Sequence, residues 1–165
     1  MKYLFLTSVF ISSSFLSVAQ GSMLPTNNEQ QIKDVIAELF NGYRTGDSLQ
    51  VRNTFTNNAT FQSAYYSAEG QSTLSQPESI NAFITYIGGG LDKEHDEQIW
   101  NTSIKIDNYL ASVWTQYAFY LDGKFSHCGS ENFLLIKVDS QWRIFHLVDT
   151  RQKSGCEIPY SIKNR

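Results

Sequence analysis

Residues 111–150 read ASVWTQYAFYLDGKFSHCGSENFLLIKVDSQWRIFHLVDT, and this stretch decides the fold. It is rich in aromatic and β-branched residues. It is punctuated by Asp122-Gly123, a strong hairpin signal, and by Asp139-Ser140-Gln141. This pattern predicts strands over 110–121, 125–138 and 142–151. A further strand over 98–107 precedes them across Asn108-Tyr109. Strands joined by such short turns make an antiparallel meander.

The turns also set an expected register. A two-residue turn at Asp122-Gly123 places Leu121 opposite Lys124, and so Trp114 opposite Glu131. A last turn at Ser140-Gln141 places Asp139 opposite Trp142, and so Glu131 opposite Thr150. Residues opposite one another share a face. One face then gathers Trp114, Gln116, Ala118, Tyr120, His127, Glu131, Phe133, Leu135, Ile144, His146, Val148 and Thr150. The other carries Val113, Tyr117, Phe119, Cys128, Asn132, Leu134, Ile136, Phe145, Leu147 and Asp149. A slip of one residue would exchange the two faces.

Upstream, residues 29–44 read as a helix, with Ile32, Val35, Ile36, Leu39, Phe40 and Tyr43 at helical spacing. Asn28 is placed to cap it and Gly46 to end it. Residues 47–55 suggest a short second helix, 54–58 a turn, and 59–66 a strand. Gln76-Pro77-Glu78 opens a third helix to about Ile87, with proline in its first turn. Gly88-Gly89-Gly90 stops it and matches no phosphate-binding spacing. Helices followed by a meander give an α+β domain. Three helices cover one side of the sheet, yet both faces are substantially apolar. A homodimer joined through the outer sheet face is the expected cover.

The chain starts with Met1-Lys2, an apolar run to Ile11, a serine-rich stretch and Ala19-Gln20. This is the layout of an export signal with cleavage after Ala19. The apolar run is about half the roughly 20 residues a membrane span needs. The expected organisation is a signal at 1–19, a flexible leader at 20–28, one domain at 29–155 and a tail at 156–165. An exported location, periplasmic or secreted, follows. The net charge of −3 gives no electrostatic basis for nucleic acid or an acidic membrane surface.

The two cysteines, Cys128 and Cys156, form a candidate disulfide in an oxidising compartment. The expected register puts Cys128 opposite Lys153, three residues short of Cys156. Bonding therefore requires the chain to curl back at Gly155. Glu131 is the candidate general acid or base, because a carboxyl among aromatics has a raised pKa. Trp114, Gln116, His127, Glu131, Phe133, His146 and Thr150 are the candidate ligand-binding residues. Asp149 and Arg151, assigned to the other face, read as an interface ion pair. His127, Cys128, His146 and Cys156 do not make a zinc site, because adjacent His127 and Cys128 point to opposite faces. No metal and no cofactor is expected.

With these elements in place, the segment 111–150 resembles the nuclear transport factor 2-like superfamily, in particular its small exported lumazine-binding and polyketide cyclase-like members. The resemblance rests on the long strands around Asp122-Gly123 and on Leu135-Ile136-Lys137-Val138 followed by Trp142-Arg143-Ile144. The upstream helix and Thr54-Phe55-Thr56-Asn57-Asn58-Ala59-Thr60-Phe61 agree with that order of elements. It implies a cone: a curved antiparallel sheet wrapped on about three helices, enclosing a pocket. It implies pocket groups at Gln116, Phe133, Val148 and Thr150, although Phe133 and Val148 stand where related domains carry polar or charged groups. Functions on this fold range from isomerases, dehydratases and cyclases to non-catalytic binding domains. The reading is therefore a domain binding an unidentified small molecule. The alternatives are an isomerase, dehydratase or cyclase using Glu131 or a histidine as base, and a dimeric interaction module without ligand.

Overall fold

Ile32, Val35, Ile36 and Leu39 recur on one side of an 18-residue helix, α1 (Asn28–Thr45), and all are buried. The computed structural model describes residues 28–163. The expected signal and all of the leader but Asn28 lie outside the described residues. Asn28 is already helical, and its side chain accepts hydrogen bonds from Lys137 Nζ (2.8 Å) and Trp142 Nε1 (3.4 Å), pinning the helix start to the sheet. Asp47 caps α2 (Ser48–Thr54) by accepting from the backbone N–H groups of Leu49 and Gln50.

Then follow β1 (Phe55–Tyr66), β2 (Ser72–Leu74), β3 (Glu78–Ser79) and α3 (Ile80–Gly88). The turn expected over 54–58 is the start of β1. The third helix starts later than Gln76, because Glu78 and Ser79 first pair with Phe61 and Thr60. Ser79, whose hydroxyl accepts from the Asn81 N–H, then caps the helix. The meander is β4 (His95–Asp107), β5 (Leu110–Leu121), β6 (Lys124–Val138) and β7 (Gln141–Thr150). A short α4 (Tyr160–Lys163) closes the described chain. The sheet runs β2-β1-β7-β6-β5-β4. The meander is antiparallel as expected, whereas β1 joins β7 in parallel, so the sheet is mixed.

The register differs from the expected one in both hairpins, and each difference has a local cause. At the β5–β6 end Leu121 does face Lys124, but an extra residue lies between Phe125 and His127. This bulge moves Glu131 from Trp114 to Thr115. The β6–β7 turn sits on Asp139-Ser140, both with positive φ (48° and 65°). Aspartate tolerates that conformation better than most residues. A second bulge follows, after which Glu131 faces Asp149 in place of Thr150. The inner face therefore carries Val113, Thr115, Tyr117 and Phe119 with His127, Glu131, Phe133, Leu147 and Asp149.

At one end this face is a dry core. Ile32, Val35, Ile36 and Leu39 pack with Ala111, Val113, Phe133, Leu135, Trp142 and Ile144, joined by Val51, Ile80 and Ile87. Each such side chain stabilises by roughly 1.5–3 kcal/mol relative to exposure. On the outer face the segment after β7 doubles back. Cys128 and Gln152 exchange backbone hydrogen bonds of 2.9 and 2.8 Å, and Gly155 turns at φ +87°. Cys128 and Cys156 are bonded, with Cα atoms 6.4 Å apart. The observed partner of Cys128, Gln152, lies four residues before Cys156, one farther than Lys153, and the curl at Gly155 closes that gap. Ile158 and Ile162 pack with Cys156 over Ala118 and Tyr120. Closing this loop stabilises the fold by roughly 3–4 kcal/mol.

Candidate functional site

The core does not fill the whole inner face. Beyond Phe133 the sheet and helices part around a cavity of about 180 Å³. Leu39, Phe40 and Tyr43 of α1, and Ile80 and Phe83 of α3, form one wall. Phe55 and Phe61 of β1 form a second. Tyr117 and Phe119 of β5, with His127 and Phe133 of β6, form a third. The rings hold one another. Tyr43 stacks on Phe119 at 6.0 Å and 4°, and meets Phe83 edge-on at 5.0 Å. Phe119 lies 5.1 Å from the His127 ring. Such pairs add about 0.5–1.5 kcal/mol each beyond area burial.

Four charged side chains break this apolar lining: Glu97, Glu131, Asp149 and Arg151. Arg151 marks the solvent side. Its Nε donates to Asp149 Oδ2 at 2.7 Å while its own side chain stays half exposed. The Tyr117 hydroxyl lies 3.1 Å from Asp149 Oδ2 and 2.9 Å from the Thr150 carbonyl oxygen. That carbonyl comes so close to Gly129 that a Cβ there would lie 1.9 Å from it. Position 129 therefore needs glycine for its missing side chain.

Glu97 and Glu131 interact carboxyl to carboxyl. Burial, then the charge of Glu97 and the hydrogen bond to it, hold the Glu131 pKa well above the ordinary carboxylate range. Burial also pushes Glu97 up to about 7, against the hydrogen bond from Glu131, which favours its anion. Glu131 is thus the partner that keeps the proton and donates it. Its Oε2 is buried and has no hydrogen-bond partner among the described residues. Burial, with the positive charge of Arg151, lowers the pKa of His127, so the ring is neutral near pH 7. Burial raises the Tyr43 and Tyr117 hydroxyls, which stay protonated.

Of the residues expected at a ligand site, Glu131, His127 and Phe133 line the cavity. The other four do not, because the two bulges turn them outward. Trp114 is 51% exposed on the outer face. Gln116 accepts from Asn101 Nδ2 at 2.8 Å, His146 Nδ1 lies 3.0 Å from Thr60 Oγ1, and Thr150 Oγ1 accepts from the Ser130 N–H. Val148, implied as a pocket group by the family resemblance, pairs with outward Asn132. Conversely, Tyr117, Phe119, Leu147 and Asp149, expected on the other face, line the cavity. The Asp149–Arg151 ion pair exists, but on the cavity side. Glu97 lay outside the expected strand, which in fact begins at His95.

No known family model matches the sequence, and no curated protein does. Solved structures match the fold. A nuclear transport factor 2-like protein from Cytophaga hutchinsonii superposes with a TM-score of 0.61 at 12% identity, over 76% of this chain and 99% of that one. A Nostoc punctiforme protein of unknown function with a cystatin-like fold gives 0.60 at 13% identity, over 79% and 96%. A nuclear transport factor 2-like protein of unknown function from Shewanella baltica gives 0.56 at 18% identity, over 77% and 95%. With helices on one side of a curved mixed sheet, this chain has the nuclear transport factor 2-like, or cystatin-like, fold.

Proposed function

We propose that the domain binds a small molecule in the cavity between α1, α3 and the inner sheet face. The observation that carries this reading is an aromatic-walled hollow lined also by Glu131, whose buried Oε2 has no hydrogen-bond partner among the described residues. Apolar walls with a few convergent polar groups are the usual make-up of such sites. At about 180 Å³ the hollow suits an occupant smaller than the drug-sized ligands of cavities of roughly 300–1,000 Å³. Thermal-shift screening of small aromatic compounds tests the reading. Hits should weaken in Phe119→Ala and persist in Trp114→Ala, which alters only the outer face. No hit in any of the three proteins overturns it.

A second reading, an acid–base enzyme, is favoured by one specific observation. Two adjoining carboxyls hold their protons differently, with Glu97 near 7 and Glu131 higher. Such a split assigns one group to accept a proton and the other to donate it. Turnover of a bound compound that stops in Glu97→Gln, with binding retained, would favour catalysis; unchanged turnover would remove it. We further propose export through the N-terminal signal, and a homodimer through the part of the outer face bearing Trp114, Leu134, Ile136 and Val148. Support for the dimer is the apolar character of that face. Sedimentation should show a dimer that Trp114→Glu dissociates; a wild-type monomer would overturn it.

A further inference from the structure

Among the described residues, Glu97, Glu131 and Asp149 face a single positive charge, Arg151, which is engaged by Asp149. The groups facing the two glutamates come from every surrounding element. Tyr43 of α1 and Tyr117 of β5 are neutral hydroxyls held protonated. Asp96 of β4 is paired with Arg44 at 3.4 Å. His127 of β6 is lowered, and so neutral. Asp149 of β7 is engaged by Arg151 at 2.7 Å and by the Tyr117 hydroxyl. Once Glu97 is ionised, the two glutamates share one proton and leave one negative charge in an aromatic hollow. An isolated charge in such surroundings is costly unless it is paired.

Resting on the small-molecule reading above, we infer that the ligand is a small organic cation, an aromatic or otherwise flat amine or amidine, whose charged group docks between Glu97 and Glu131. Three features of the site converge on this chemistry. A protonated amine brings the donor that Glu131 Oε2 lacks. It supplies the counter-charge. Tyr43, Phe119 and Phe83 line the cavity, and aromatic rings attract cations and stack with flat groups. An anion would meet like charge at the same place. Among the described residues no group of three ligating side chains could hold a metal ion, which favours an organic cation over an inorganic one.

Binding of a cation favours the ionised form of the carboxyl pair, so affinity is coupled to the loss of a proton. Glu97 titrates near 7. The competent, ionised fraction therefore rises from about one tenth at about pH 6 to about nine tenths at about pH 8, an improvement in Kd of about tenfold.

Calorimetry on the full chain with benzylamine, benzyl alcohol and benzoate, across that pH range, tests the inference. Benzylamine, protonated throughout, should bind, tighten about tenfold with rising pH and release protons to the buffer. Benzoate should not bind. Glu97→Gln should remove the pH dependence and weaken benzylamine, while Trp114→Ala should change neither. Benzyl alcohol or benzoate binding at least as tightly as benzylamine would overturn the cation and leave the pocket reading standing. So would a benzylamine affinity that falls as pH rises. If none of the three probes binds and the aromatic screen also yields no hit, both readings fall together. If other aromatic compounds bind and benzylamine does not, the cation alone is lost.

Discussion

The two ends of the inner sheet face use the same strands to opposite effect. Along β6, Phe133 and Leu135 are fully buried in the core. Two residues before Phe133 on that face, Glu131 lines a cavity, and Gly129 and His127 follow it. Along β7, Ile144 is core, while Leu147 and Asp149 reach the hollow. At the core end, Ile32, Val35 and Ile36 of α1 lie close on the sheet. At the other end Phe40 and Tyr43 meet the sheet ring to ring, at Phe133 and Phe119, with centroids about 6 Å apart, and line the cavity between. One end maximises contact and supplies stability. The other gives up contact and places carboxyls where contact would otherwise be. A site of this kind is affordable only because the stabilising packing is concentrated elsewhere.

The largest predicted effect breaks the stabilising end. Trp142 is 1% exposed and its indole N–H reaches Asn28. Trp142→Ala should cost about 3–5 kcal/mol in denaturant unfolding. Phe119→Ala should cost about 2 kcal/mol, because atoms facing a void already lack partners there. Equal losses would mean that the hollow is as tightly packed as the core, and would remove the contrast.

Next comes the boundary between the two ends. Gly129→Ala places a methyl against the Thr150 carbonyl. Backbone must move, and overpacking of this kind costs about 1–3 kcal/mol. The displaced carbonyl carries the Tyr117 contact with it, so ligand binding should fall along with stability. Wild-type stability and binding in Gly129→Ala would show that Thr150 relaxes freely.

Much of the core end was legible in the sequence. The apolar spacing of Ile32 to Leu39 and the Asp122-Gly123 hairpin each found their element, because periodicity and turn chemistry are local signals. The cavity end was half legible. Glu131, His127 and Phe133 were reached, but their companions were assigned to the wrong face. The cause is the pair of bulges, each of which adds one residue and reverses every side chain beyond it. In β5 the inner set Val113, Tyr117 and Phe119 and the outer set Trp114, Ala118 and Tyr120 are equally apolar, so alternation does not choose between them and the turn alone decided the face. Glu97 left no trace either, since the expected strand began one residue after it. Pairing of its carboxyl with Glu131 is a long-range contact that no local pattern encodes.

The smallest predicted effect is also the most specific to the hollow, because it reverses the sign seen at the core. Both glutamates bind protons more tightly in the folded chain than at their ordinary value of 4.5. The native state therefore holds more protons than the unfolded state above that pH, and stability falls as pH rises. The contribution is fully present below about 4.5. It is lost through about 7 for Glu97, and at higher pH for Glu131. Glu131→Gln keeps a donor toward Glu97 and removes the group whose ionisation is penalised. At about pH 8 it should stabilise the protein, and at about pH 4 it should leave stability almost unchanged. Thermal unfolding of both proteins across that range checks the prediction. A Glu131→Gln variant that is less stable at the alkaline end would mean that the carboxyl pair helps hold the fold together. The contrast between a stabilising end and a functional end would then fail at its most diagnostic residue.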